Sequence, residues 1–242
     1  MKYSNIICVG DSMTNERQHY AEIGALDIFK EHNYEFKEYP EFLSEYYDCP
    51  YESFGEPGMT LPFTMMTLID KVDYILSLEN PLVIYQFGVF FNATLKIDDE
   101  NSVLWKDFND AYTGKEMVLD QTSSFSDSMD IDEKLAVVTW FSKYEEYRNY
   151  WYIDEFITLA KMLNRIKPID IYGMPFSKPS FPIPRSKFLL NMWNKGCASD
   201  TEHLQPIHLE FPDINDGHKT TLANKNLADE IIRQISIQKN VI

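Results

Sequence analysis

Apolar positions crowd the start of the chain and then stop. Ile6-Ile7-Cys8-Val9 is an unbroken apolar run, long enough for one buried strand, and it ends abruptly in Gly10-Asp11-Ser12. Residues 15–38 mix polar and aromatic side chains without a clean period, so no element is predicted there. Residues 39–47 read as a helix, with Pro40 in its first turn and Phe42, Leu43 and Tyr46 at helical spacing. A short strand is expected at 51–54, followed by a turn rich in glycine and proline around Gly55, Pro57 and Gly58. A helical period runs from 61 to 78, and Asn80-Pro81 stops it. Residues 82–87 are nearly all apolar, the pattern of a central strand in a parallel sheet, and Gly88 ends them.

The pattern then changes. Residues 95–135 hold eleven Asp and Glu against four Lys, with a Ser/Thr-rich stretch, and read as an acidic insertion over one face. Asp127, Asp130, Asp132 and Glu133 lack the order and the glycine of a calcium loop. Helical periodicity returns at 150–166, followed by a strand at 168–173, a loop with four prolines at 174–185, a short helix at 188–193, a short last strand at 206–211 and a closing helix at 220–235. Strands alternating with helices predict one α/β domain over 1–242, a parallel sheet with helices on both faces. Right-handed crossovers bring every strand's carboxyl end to one edge, so Ser12, Gly58, residues 88–92 and residues 213–218 should meet there.

Charge and cysteine usage narrow the function classes. With 38 acidic residues against 22 Lys and Arg, the net charge of −16 repels phosphate backbones and argues against a nucleic-acid partner. The three cysteines, Cys8, Cys49 and Cys197, are scattered and odd in number, so a disulfide framework is not expected. The early apolar run is too short for a secretory leader, and no stretch reaches the ~18 apolar residues of a membrane span. A soluble protein of the cytoplasm is expected. Cys197, His203, His208 and His218 have no compact zinc spacing, and no Gly-rich phosphate loop follows the first strand. No metal or cofactor is expected.

A serine just past a strand stands where open α/β sheets bind ligands. Asp11, Ser12, Thr14 and Asn15 are all helix-capping types, so the segment either starts a helix near the serine or presents the hydroxyl to the crevice. Serine needs a base to become a nucleophile, and a histidine held by a carboxylate is the usual one. Of the five histidines, His218 is best placed. It is expected to follow the last strand, it precedes the final helix, and Asp213 and Asp216 lie just before it. The plain alternative is a surface histidine after an Asp216-Gly217 turn.

Taken together, Gly10-Asp11-Ser12, the glycine turn at Gly58, Gly88 and Asn92 after the third strand, and the terminal Asp/His pair resemble the SGNH (GDSL-type) hydrolase superfamily. The resemblance covers the whole chain apart from the insertion. It implies a flavodoxin-like three-layer α/β/α sandwich and ester hydrolysis through an acyl-serine. It also implies Ser12 as nucleophile, His218 as base, and an oxyanion hole built from the Ser12 and Gly58 amides and an asparagine side chain. Three departures stand out. The third motif, usually Gly-x-Asn-Asp, has its asparagine two places late at Asn92, which leaves Gln86 as the next candidate donor. The terminal Asp-x-x-His has Asn215 in the aspartate's place, so Asp216 is the expected carboxylate and Asp213 the alternative. Lys219 replaces the usual proline. The insertion and the shortened terminal motif look more like phage- or virus-encoded members, for which virion association is open, than like secreted lipases.

The expected function is therefore a serine esterase acting on O-acyl groups, foremost O-acetyl groups on carbohydrate, for which an aromatic content of 14% suits sugar rings. The competing expectation is a catalytically silent SGNH-like domain that binds glycan or a partner protein.

Overall fold

Alternation along four strands builds the centre of the fold, as described by a computed structural model for residues 2–56, 61–87, 150–175, 183–192, 206–214 and 216–240. The strands are β1 (Asn5–Asp11), β2 (Tyr51–Glu56), β3 (Pro81–Gln86) and β4 (Asp170–Met174). They form one parallel sheet in the order β2-β1-β3-β4, the order of doubly wound flavodoxin-like sheets. Ile7 pairs with Glu52 on one side and Val83 on the other, and Val83 pairs with Ile171.

Successive side chains of a strand point to opposite faces, so the two halves of each apolar run enter different cores. Ile7, Val9, Val83, Tyr85 and Ile171 pack under α4 (Leu61–Asp70), α5 (Val72–Ser77) and α6 (150–166), whose Leu61, Leu68, Ile75, Ile153 and Phe156 are buried. Ile6, Cys8, Leu82, Ile84 and Tyr172 face α3 (Tyr39–Tyr47) and α7 (Thr221–Asn240), through Tyr39, Leu43, Leu227, Ala228 and Ile231. This is a three-layer α/β/α sandwich, as the pattern predicts. Among the described residues no helix is long and apolar enough to cross a membrane.

Several elements differ from the sequence reading. Residues 15–38 contain two helices, α1 (Glu16–Glu22) and α2 (Ala25–Glu31). Each spans seven residues, too short for a period to show, and α1 buries Glu16 and His19 alongside Tyr20. Tyr20, Phe29 and Phe36 form a third small core with Ile207 and Ile214. The expected helix over 61–78 is two helices, α4 and α5, broken at Lys71, whose N–H is shared between the Thr67 and Leu68 carbonyls. Residues 188–190 are not helical: Phe188 lies in a turn that Leu189 N–H closes on the Ser186 carbonyl at 3.1 Å. Leu189 bridges Gly173 in parallel, with Gly173 N–H on the Phe188 carbonyl at 2.6 Å and Leu190 N–H on the Gly173 carbonyl at 2.9 Å. The expected last strand is a 3-10 turn at Ile207–Leu209, so His218 follows a turn and not a strand. The 168–173 strand is shifted and runs over β4. The acidic insertion at 95–135 and the loop motifs at Gly58 and 88–92 lie outside the described residues.

Candidate active site

Gly10 is required by space. A Cβ there would lie 2.2 Å from Thr14 Oγ1 and 2.8 Å from Gln86 Cβ. The turn after it is tight: Thr14 N–H donates to the Asp11 carbonyl at 3.0 Å. Asp11 Oδ1 accepts the Met13 N–H and a Gln86 side-chain N–H, both at 2.9 Å. Gln86 Oε1 in turn accepts the Thr14 hydroxyl. Burial pushes the Asp11 carboxyl up to about 7, against the pull of the Met13 N–H. The Gly10-Asp11-Ser12 motif thus makes a braced turn between two central strands, and Ser12 is carried at its start. Gln86, the reserve candidate for an oxyanion donor, is one of the braces. Asn15 stands at the N-cap of α1 but does not cap it; its amide bonds Gln18 and the Gly55 carbonyl. The helix begins at Glu16, so Ser12 belongs to the turn ahead of it.

His218 comes to this turn from the far end of the chain. The Ser12 hydroxyl donates to His218 Nε2 at 2.8 Å. On the other side of the ring, Nδ1–H donates to Asp216 Oδ1 at 2.6 Å, and the His218 backbone N–H donates to the same oxygen at 2.8 Å. An ionised carboxylate can only accept, which puts the ring proton on Nδ1 and makes Nε2 the acceptor for serine. Ser12, Asp216 and His218 are 5%, 3% and 0% exposed. Burial holds the imidazole below its usual pKa, although Asp216 pulls the other way. Burial also works against the Asp216 charge, but the hydrogen bonds from His19 and His218 outweigh it and keep the carboxyl well below the ordinary range. At neutral pH the arrangement is therefore hydroxyl, neutral imidazole, carboxylate. Asp213, the alternative carboxylate, is exposed.

Lys219, where a proline is usual in the resembling family, ties the two loops together. Its buried ammonium sits 2.8 Å from Glu16 Oε1 and donates to the Met13 carbonyl at 3.1 Å, one residue from Ser12. Its backbone N–H also reaches Glu16 Oε1, at 3.1 Å. Breaking a buried pair leaves a charge without its partner and typically costs 3–5 kcal/mol, whereas replacing both members by neutral groups costs far less. Lys219→Met should therefore lower stability by about 3–5 kcal/mol in urea unfolding, and adding Glu16→Gln should recover part of that loss. A single variant as stable as the parent would show that the pair does not hold the loops.

The site contains a residue that the sequence pattern does not reveal. His19 Nε2–H donates to Asp216 Oδ2, and the His19 ring stacks on the His218 ring with centroids 4.0 Å apart. No spacing in the sequence connects residue 19 to residue 216; only the packing of α1 against the 206–220 segment brings them together. His208 Nδ1–H donates to the Asp216 carbonyl at 2.7 Å, so it braces the same loop from behind. His19, Asp216 and His218 are ligand types whose donor atoms lie within 4.8 Å of one another, close enough to share a metal, and each of these residues is engaged with another member of the set. Of the residues expected at the site, Ser12, His218 and Asp216 meet, while Gly58 and Asn92 lie outside the described residues, as do Asn215, His203 and Cys197, which are not expected there. Comparison with protein-family models, with curated proteins and with solved structures finds no match for this chain.

Proposed function

We propose that this chain is a serine ester hydrolase of SGNH (GDSL) type. The observation that carries the reading is the continuous hydrogen-bonded path from Ser12 Oγ through the His218 ring to Asp216. In the proposed reaction the Ser12 oxygen attacks the ester carbonyl carbon while its proton passes to His218 Nε2. The tetrahedral intermediate collapses as the same proton is given to the departing alcohol oxygen, leaving an acyl-serine. Water then attacks the acyl carbon as His218 Nε2 takes its proton, and the intermediate collapses by breaking the bond to Ser12 Oγ, which recovers that proton as the carboxylic acid is released. Asp216 fixes the ring's tautomer and stabilises the imidazolium formed in each half-reaction. The Ser12 backbone N–H, in the turn after β1, is one proposed donor to the oxyanion, with Gly58 and Asn92 proposed for the others. O-acetyl groups on carbohydrate are the proposed substrates, and a cytoplasmic setting is part of the proposal.

Turnover of p-nitrophenyl acetate tests the reading whatever the natural alcohol is. Its pH dependence carries a signed prediction. Only neutral imidazole accepts the serine proton, and kcat/KM reports the free enzyme's base. Burial lowers the pKa of His218 from the ordinary 6.5. Activity should therefore persist on acidification past that value, and the ascending limb of kcat/KM should have its midpoint below 6.5. A midpoint clearly above it would mean that a different group acts as base, or that the pull of Asp216 outweighs burial at His218.

A further inference from the structure

We infer that His19 is a positioning residue for the Ser12–His218–Asp216 path, a role that rests on the hydrolase reading above. A carboxylate that orients a histidine must itself be kept from turning about its terminal bond. Asp216 is held at both oxygens: Oδ1 accepts two N–H groups of His218, and Oδ2 accepts His19 Nε2–H. His19 is buried, at 5% exposed, and sits on α1 only seven residues after Ser12. The same helix carries Glu16, which binds Lys219 next to His218. One short helix thus grips the base loop twice, through Glu16 and through His19.

A histidine that merely filled core space would explain the stacking on His218 but not the aim of Nε2 at a carboxylate 197 positions away. Without His19, Oδ2 would be a buried charged oxygen with no donor among the described residues, which is costly. The carboxylate would then turn to find one, and His218 would lose its alignment on Ser12. Outer hydrogen-bond partners of metal-ligating residues typically contribute about 10- to 100-fold in metal affinity or activity, and we take the same scale for a donor that holds the carboxylate behind a catalytic base. The contribution here should appear in kcat, because His19 holds the base and has no contact with the ester in the proposed reaction.

The test separates the hydrogen bond from the packing. His19→Phe keeps a ring against His218 and removes the donor; His19→Gln places an amide N–H at a similar reach and removes the ring. His19→Ala removes both. Turnover of p-nitrophenyl acetate and the rate of Ser12 labelling by a fluorophosphonate are measured for all three, with thermal midpoints as a check on folding. The expected result is that Ala and Phe lower kcat and the labelling rate about 10- to 100-fold with KM little changed, while Gln recovers most of both. A Phe variant as fast as the parent would reduce His19 to packing and overturn the inference. So would a Gln variant no better than Phe, or activity that is lost to a chelator and restored by zinc, because the three groups would then hold a metal and not one another. Ser12→Ala serves as the separate control: if that variant turns over ester at the parental rate, the hydrolase reading fails, whatever the His19 variants do.

Discussion

Ser12→Ala is expected to cut ester turnover by on the order of 10⁴- to 10⁶-fold, the range for removing a triad nucleophile, and to leave the fold intact. The expectation of an intact fold follows from how the turn is built. Asp11, Met13, Thr14 and Gln86 brace it through hydrogen bonds that do not involve the serine hydroxyl. Among the described residues, the one side-chain bond that alanine removes is the 2.8 Å contact to His218 Nε2. That ring stays fixed from its other side by Asp216 and by the stack with His19. Loss of turnover with an unchanged thermal midpoint and unchanged circular dichroism is therefore the expected result. A variant that keeps a substantial fraction of kcat would show that the hydroxyl does not attack.

Asp216→Asn is the second large effect. An amide presents one oxygen and one NH2 where the carboxylate presents two oxygens. Both facing partners, His19 Nε2–H and His218 Nδ1–H, donate. One of them must then meet a donor, and relief requires that ring to change tautomer. If His218 changes, its proton moves to Nε2 and the ring can no longer accept from Ser12. The same substitution in a serine protease lowers kcat by about 10⁴, and a fall of at least about a hundredfold is expected here. Asp213→Asn is the matched control, since Asp213 is exposed and it is Asp216 that accepts from His218 Nδ1–H. The ratio of the two kcat values settles the assignment: equal losses, or a larger one for Asp213→Asn, would remove Asp216 from its role.

Much of this site is legible because its chemistry sits next to strong local patterns. The Ile6-Ile7-Cys8-Val9 run marks a strand, Gly-Asp-Ser marks its end, and parallel topology sends that end to a shared edge. Spacing alone prefers Asp216 to Asp213, and the 2.6 Å contact to His218 agrees with that preference. The strand expected before His218 is absent for an identifiable reason. Pro206-Ile207-His208-Leu209 alternates like a strand, but Ile207 is buried in the small third core, and the chain closes into a 3-10 turn against it. Helices α1 and α2 are illegible because they are short and stabilised by aromatic packing, not by a long amphipathic stripe. His19 is hidden with them. Nothing in the sequence pattern reveals the role of Lys219, which is the buried pairing with Glu16 that holds the loop.

Covalent capture asks whether Ser12 is a nucleophile activated by His218. A fluorophosphonate reacts with such a serine whatever the natural ester is. After incubation at neutral pH, intact-mass measurement should show a single adduct per chain, and peptide mapping should place it on Ser12. The adduct should be absent from Ser12→Ala and strongly slowed in His218→Ala. A protein that stays unlabelled under conditions that modify a well-characterised serine hydrolase, or one labelled at another residue while Ser12 stays unmodified, would contradict the account.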